Sequence, residues 1–138
     1  MSGLLRGMAD RLFTSIEAEC PSAWMELSER GADLSIDVDV GETFGIRVDR
    51  SGPQTCDPVR SAAVQVETDV RTLKALVFGE RDIMSALEDD CVLVHGSPAD
   101  VSRLSDFIHI VVAGAARTRA GEALADELIA LATTTRGA

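Results

Sequence analysis

The run from Leu34 to Val48 constrains the fold more than any other stretch. Leu34, Ile36, Val38 and Val40 alternate with Ser35, Asp37 and Asp39. A period of two puts one apolar and one acidic face on the same segment, the pattern of a half-buried antiparallel strand. Gly41-Glu42 reads as a tight hairpin connection, and Phe44, Ile46 and Val48 then alternate again, with Arg47 and Asp49 outward.

On either side the period changes. Leu5, Met8, Leu12 and Ile16 recur at three and four residues, so the spacing predicts an amphipathic helix that Ser2 can cap and Cys20-Pro21 ends. Trp24 to Ser28 is ambiguous; we read it as a short first strand, with a second helix as the alternative. Gly52, Pro53 and Pro58 mark Ser51 to Pro58 as a loop. Ala62 to Glu67 alternates as a further strand. Thr68 or Asp69 caps a helix carrying Val70, Leu73, Leu76 and Val77, which Gly79 stops. A short helix over Ile83, Met84 and Leu87 follows, then a strand from Cys91 to His95. Ser97-Pro98 starts the last helical stretch, which Gly114 and Gly121 break or bend. Leu124, Leu128 and Leu131 form a final amphipathic piece, and Thr133 to Thr135 a frayed tail. Strands and helices in clusters, with little strict alternation, predict an α+β fold. The length of 138 residues suits one domain, residues 1–138, with 118–138 as a C-terminal helical extension.

Charge excludes some partners. The net charge is −10 and no dense Lys/Arg cluster occurs, so nucleic acid is not expected as a partner. Attraction to an anionic membrane surface is disfavoured for the same reason. The longest apolar run, Ile108 to Ala116, is far short of the roughly 20 residues a membrane span needs, so stable membrane insertion is not expected either. Cys20, Cys56 and Cys91 are scattered and form no CxxC pair, which fits a reducing cytoplasm and no zinc knuckle.

Catalytic chemistry finds little support. His95 and His109 are the only histidines, with no further ligands at metal spacing, so no metal site is expected. His109, inside the apolar run, reads as a satisfied polar group facing a pocket or a partner. Asp37 with Asp39, and Asp89 with Asp90, read as solvated carboxylates. No nucleophile elbow and no phosphate-binding glycine loop occurs, so no cofactor, no catalytic residue and no enzyme activity is expected.

The stretch Val64 to Phe107 resembles the sterol carrier protein domain family, of the nonspecific lipid-transfer type. The matching pieces are Val64-Gln65-Val66-Glu67, Thr72 to Gly79, Ile83-Met84-Ser85-Ala86-Leu87 and Cys91 to Ser97, followed by Leu104 and Phe107. About a third of the chain carries the pattern, and the rest agrees in element order. The resemblance implies a single five-stranded, mostly antiparallel sheet with helices packed on one face. It also implies a hydrophobic tunnel between the layers that takes a lipid or another hydrophobic small molecule. The chain departs from the family in its acidity, in its Thr135-Arg136-Gly137-Ala138 end in place of a peroxisomal tail signal, and in the segment from Thr118, which could cover or fill the tunnel.

The function expected on this basis is non-catalytic binding of a hydrophobic ligand, with Leu76, Phe78, Ile83, Met84, Leu87, Phe107, Ile110 and Val111 as candidate ligand-binding residues. Two alternatives stand beside it. One is a protein-interaction or homodimerisation module built on the apolar C-terminal half. The other is an accessory enzyme using an adapted pocket around His109.

Overall fold

The computed structural model describes residues 3–58 and 61–137, and the side chains of all of these except 120 and 132–137. Helices α1 (Leu4–Glu19) and α2 (Pro21–Arg30) precede strands β1 (Ser35–Asp39), β2 (Thr43–Asp49), β3 (Gly52–Cys56) and β4 (Val64–Glu67). Then come α3 (Val70–Val77), α4 (Ile83–Glu88), β5 (Leu93–His95), α5 (Pro98–Ala116) and α6 (Arg119–Gly137). The five strands form one mixed sheet in the order β3-β2-β1-β4-β5. Only β1 and β4 run parallel, so the sheet is mostly antiparallel and the architecture is α+β.

The hairpin follows from the alternation. Ile36 faces Ile46 and Val38 faces Phe44 across β1 and β2. The buried face carries Ile36, Val38, Phe44, Val48 and Val64, while Asp39, Arg47, Asp49, Gln65 and Glu67 are exposed on the other. Gly41 turns the corner at φ 92°, a left-handed conformation that glycine adopts without strain. The Asp39 carboxylate accepts the Gly41 N–H at 3.1 Å.

The helix ends are built as the sequence indicates. Asp69 accepts the Thr72 N–H at 2.7 Å to cap α3, and Ser97 accepts the Asp100 N–H at 3.2 Å to cap α5, with Pro98 in the first turn. The expected Ser2 cap lies outside the described residues. Gly3 stands at the α1 N-cap without a side-chain acceptor of its own. That helix end is capped from the hairpin instead: Glu42 Oε1 accepts the Leu5 N–H at 2.8 Å, and Oε2 accepts the N–H of Gly3 at 2.9 Å and of Arg6 at 3.1 Å.

Two segments differ from the sequence reading. Trp24 to Ser28 is not a strand; it lies in α2. Pro21, which ends α1, also sits in the first turn of α2, where its missing N–H costs nothing. Gly52 to Cys56 is not a loop but β3, paired antiparallel to β2 with Pro53 opposite Val48. Proline is tolerated there because β3 is an edge strand with one side unpaired. The sheet therefore has the expected number of strands, with β3 in place of Trp24 to Ser28. The C-terminal helices break at Arg117-Thr118, between the two glycines, and α6 continues through the threonines expected to fray.

Most of the core is one cluster joining α1, α2, α5 and α6 to the buried sheet face. A smaller one beneath α4 joins Leu76, Ile83, Ala86 and Val92. Close helix packing is set by Gly114 of α5, which lies against the Ile16 side chain of α1.

Candidate functional site

A cavity of about 140 Å³ lies between the sheet and the helices. Its floor is the inward face of the sheet: Ile36 and Val38 of β1, Phe44 and Ile46 of β2, and Val66 of β4. The period-two pattern puts all of these on one side. Its roof comes from five helices, with α4 contributing Ile83. Leu5, Met8 and Leu12 are the apolar stripe of α1, and Leu73, Leu76 and Val77 belong to α3. Leu104, Phe107 and Val111 project from α5, and Leu124 and Leu128 from α6. All four phenylalanines of the chain, Phe13, Phe44, Phe78 and Phe107, stand on this wall. The Phe13 and Phe107 rings meet nearly edge to face, with centroids 6.4 Å apart.

Among the described residues the wall carries one polar side chain, Thr68, and its hydroxyl already donates to the Cys91 carbonyl at 2.9 Å. No ionisable side chain among the described residues lines the space. A site of this kind attracts by removing apolar surface from water and offers no charge to a guest.

Five of the eight residues singled out in the sequence, Leu76, Phe78, Ile83, Phe107 and Val111, come together on the cavity wall. Three do not. Met84 is 52% exposed on the outer side of α4. Leu87 packs with the smaller cluster beneath α4. Ile110 is buried in the main core, off the cavity. Period explains these misplacements: a helix of six residues such as α4 gives one face to the core, and its next position already turns to solvent. The α1 stripe and the inward strand residues also line the cavity, although the sequence reading assigned them to core alone. Their signal was available in the same periodicity, since any cavity between two layers is walled by both.

The polar candidates lie elsewhere. The His109 side chain is 61% exposed and Nε2 is 3.5 Å from Asp82 Oδ1, on the outer surface of α5. It does not face the cavity, one of the two places, pocket or partner, that the sequence reading gave it. His95 is exposed at the end of β5. Among the described residues, no group of three or more His, Cys, Asp or Glu is placed to hold a metal ion. No described helix is long and apolar enough to cross a membrane. Partial burial pushes the Cys56 thiol above the usual range, against the pull of Arg47 and Arg6.

The extension after α5 is held in place by a compact turn. The Thr118 hydroxyl donates to the Ala115 carbonyl at 3.2 Å and accepts the Gly121 N–H at 3.2 Å. A side chain on Gly121 would run into that same carbonyl, so the tight return needs glycine. The Arg119 N–H donates to Glu19 at 3.2 Å, and Arg11 pairs with Glu127 at 3.0 Å. These contacts lay α6 over α1 and α3, with Leu124 and Leu128 inward.

No protein-family profile and no curated protein sequence matches this chain. Solved structures do. A protein described as the UbiJ-SCP2 ubiquinone synthesis protein superposes with a TM-score of 0.63 at 12% identity, over 80% of this chain and 91% of that one. Sterol carrier protein domain 2 of Helicoverpa armigera gives 0.53 at 10% identity, covering 81% and 90%. The apo form of sterol carrier protein 2 from Yarrowia lipolytica gives 0.51 at 11% identity, covering 80% and 91%. At these identities the likeness is one of fold, and it agrees with the resemblance seen in Val64 to Phe107. The chain carries the sterol carrier protein 2 fold.

Proposed function

We propose that this protein binds a hydrophobic small molecule or the apolar part of a lipid, without catalysis, in the space between the sheet and its helices. The observation that carries this reading is the cavity itself: it lies between the sheet and α1, α3, α4, α5 and α6, and is walled almost wholly by hydrocarbon. Neighbours of the same fold are described as sterol carrier proteins, which supports binding of an apolar molecule as the common use of this architecture. The driving force would be burial of apolar ligand surface, about 25 cal/mol per Å². Among the described residues the wall offers no base or metal ligand and no free nucleophile, which is why a binding role is preferred to an enzymatic one.

Ligand pockets for drug-sized molecules usually span about 300–1,000 Å³. The cavity here is about 140 Å³, and Leu124 and Leu128 of α6 stand on its wall. That size supports a second reading, in which α6 completes the core and the domain serves as an interaction or dimerisation module. Titration with neutral n-alkanols, followed by the methyl resonances of Met8, Leu124 and Leu128, separates the two. Saturable shifts that disappear in Leu128→Trp, a substitution that fills the space, support ligand binding. Absence of saturable shifts with every alkanol contradicts it and leaves the interaction reading.

A further inference from the structure

The chemistry of the wall says more about the guest than that it is apolar, provided the cavity is a binding site as proposed above. An ionised head group inside it would lose its hydration and find no partner. Among the described residues the wall has no Lys, Arg or His, and its one hydroxyl, on Thr68, already donates its proton to the Cys91 carbonyl. A carboxylate buried without a hydrogen-bond donor or a counter-charge is strongly disfavoured. The protein's net charge of −10 adds a repulsive field for any anion that approaches.

Size sets a second limit. Apolar cavities of about 150 Å³ take a benzene-sized guest, about six carbon atoms. The space here, about 140 Å³, is of that order. A rigid four-ring sterol is far larger and does not fit unless the walls move. Flexible aliphatic side chains from α1, α5 and α6 dominate the roof, and these conform to a slender guest more readily than to a broad flat one.

We propose that the cavity accepts an uncharged hydrocarbon segment of about six carbons, linear or as a single small ring, and excludes ionised head groups. The ligand class is therefore a neutral apolar molecule, or the tail of a molecule with an uncharged polar end, rather than a free fatty acid or a sterol taken in whole.

The test uses the unaltered protein and compares hexan-1-ol, hexanoate and hexylammonium at neutral pH, with the Met8, Leu124 and Leu128 methyl resonances as the readout. The expected result is saturable binding of hexan-1-ol, with both ions weaker by at least about 100-fold. Along the alkanol series, affinity should rise about fourfold per methylene and level off near six carbons. Hexanoate or hexylammonium binding as tightly as the alcohol would overturn the exclusion of charge while leaving the cavity reading intact. A rise that continues through dodecanol would overturn the size limit in the same way. Failure of every neutral alkanol to bind would remove the reading on which the proposal rests.

Discussion

The indole of Trp24 lies directly against the Cα of Gly52. A β-carbon on Gly52 would overlap Trp24 Cζ2 and Cε2 and stand 2.9 Å from Nε1, and the residue holds φ at 111°. The indole N–H donates to the Ser51 carbonyl at 3.0 Å, fixing the ring over the start of β3. This contact ties α2 to the edge of the sheet. Gly52→Ala should therefore destabilise the fold by about 2–4 kcal/mol, through overlap and strain at a left-handed position. Trp24 is the only tryptophan, so urea unfolding read by its emission checks the prediction directly.

Gly114 plays a comparable part between α1 and α5. A β-carbon there would meet Ile16 Cδ1 and Cγ1 at 3.2 Å, closer than a packed core readily accepts. Gly114→Ala is expected to cost about 1–3 kcal/mol. Trimming the neighbour in Gly114→Ala/Ile16→Val should recover part of the loss. A double-mutant cycle from denaturation midpoints measures that coupling.

Glu42 couples the β1–β2 hairpin to the start of α1 through its three backbone hydrogen bonds. Glu42→Ala should lower stability by about 1–2 kcal/mol, within the range for lost helix caps. Hydrogen exchange should rise first at the amides of Leu5 and Arg6. Glu42→Gln, which keeps one acceptor, should fall between the two.

Asp49 gives a pH signature. The Ser51 hydroxyl donates to its Oδ1 at 2.6 Å and the Ser51 N–H at 2.8 Å, and together they hold its pKa below the usual aspartate value. The sign follows from linkage: a carboxylate whose pKa is lowered by folding stabilises the folded state above its unfolded pKa. That contribution is lost as pH falls through the folded value. Asp49→Asn should therefore lower the urea midpoint at neutral pH and converge with the unaltered protein in strong acid. Because Asp49 is exposed, the difference should be small.

Much of the fold was legible because burial leaves a period. The strands from Ile36 to Val48 announce themselves by alternation, and Asp69, Ser97 and Gly79 mark helix ends by local chemistry. Trp24 to Ser28 was misread because five residues cannot separate a period of two from 3.6, and Trp24 packs sideways onto β3 rather than into a stripe. β3 was missed because Gly52 and Pro53 are loop residues everywhere except at a sheet edge, and edges are set by distant pairing. The cavity was legible only in outline. Leu76 and Phe107 line it while Ile110, equally apolar, does not, because helix rotation and crossing decide which buried residue meets empty space. The place of Leu124 and Leu128 depends on the sharp return at Thr118 and Gly121.

The most direct measurement is a crystal structure of the protein soaked with hexan-1-ol. The account predicts density for one alkyl chain bounded by Met8, Phe107, Val38 and Leu128, with the hydroxyl at the edge of the site. Electron density for the alcohol only on the outer surface, with these side chains closed on one another, would contradict it.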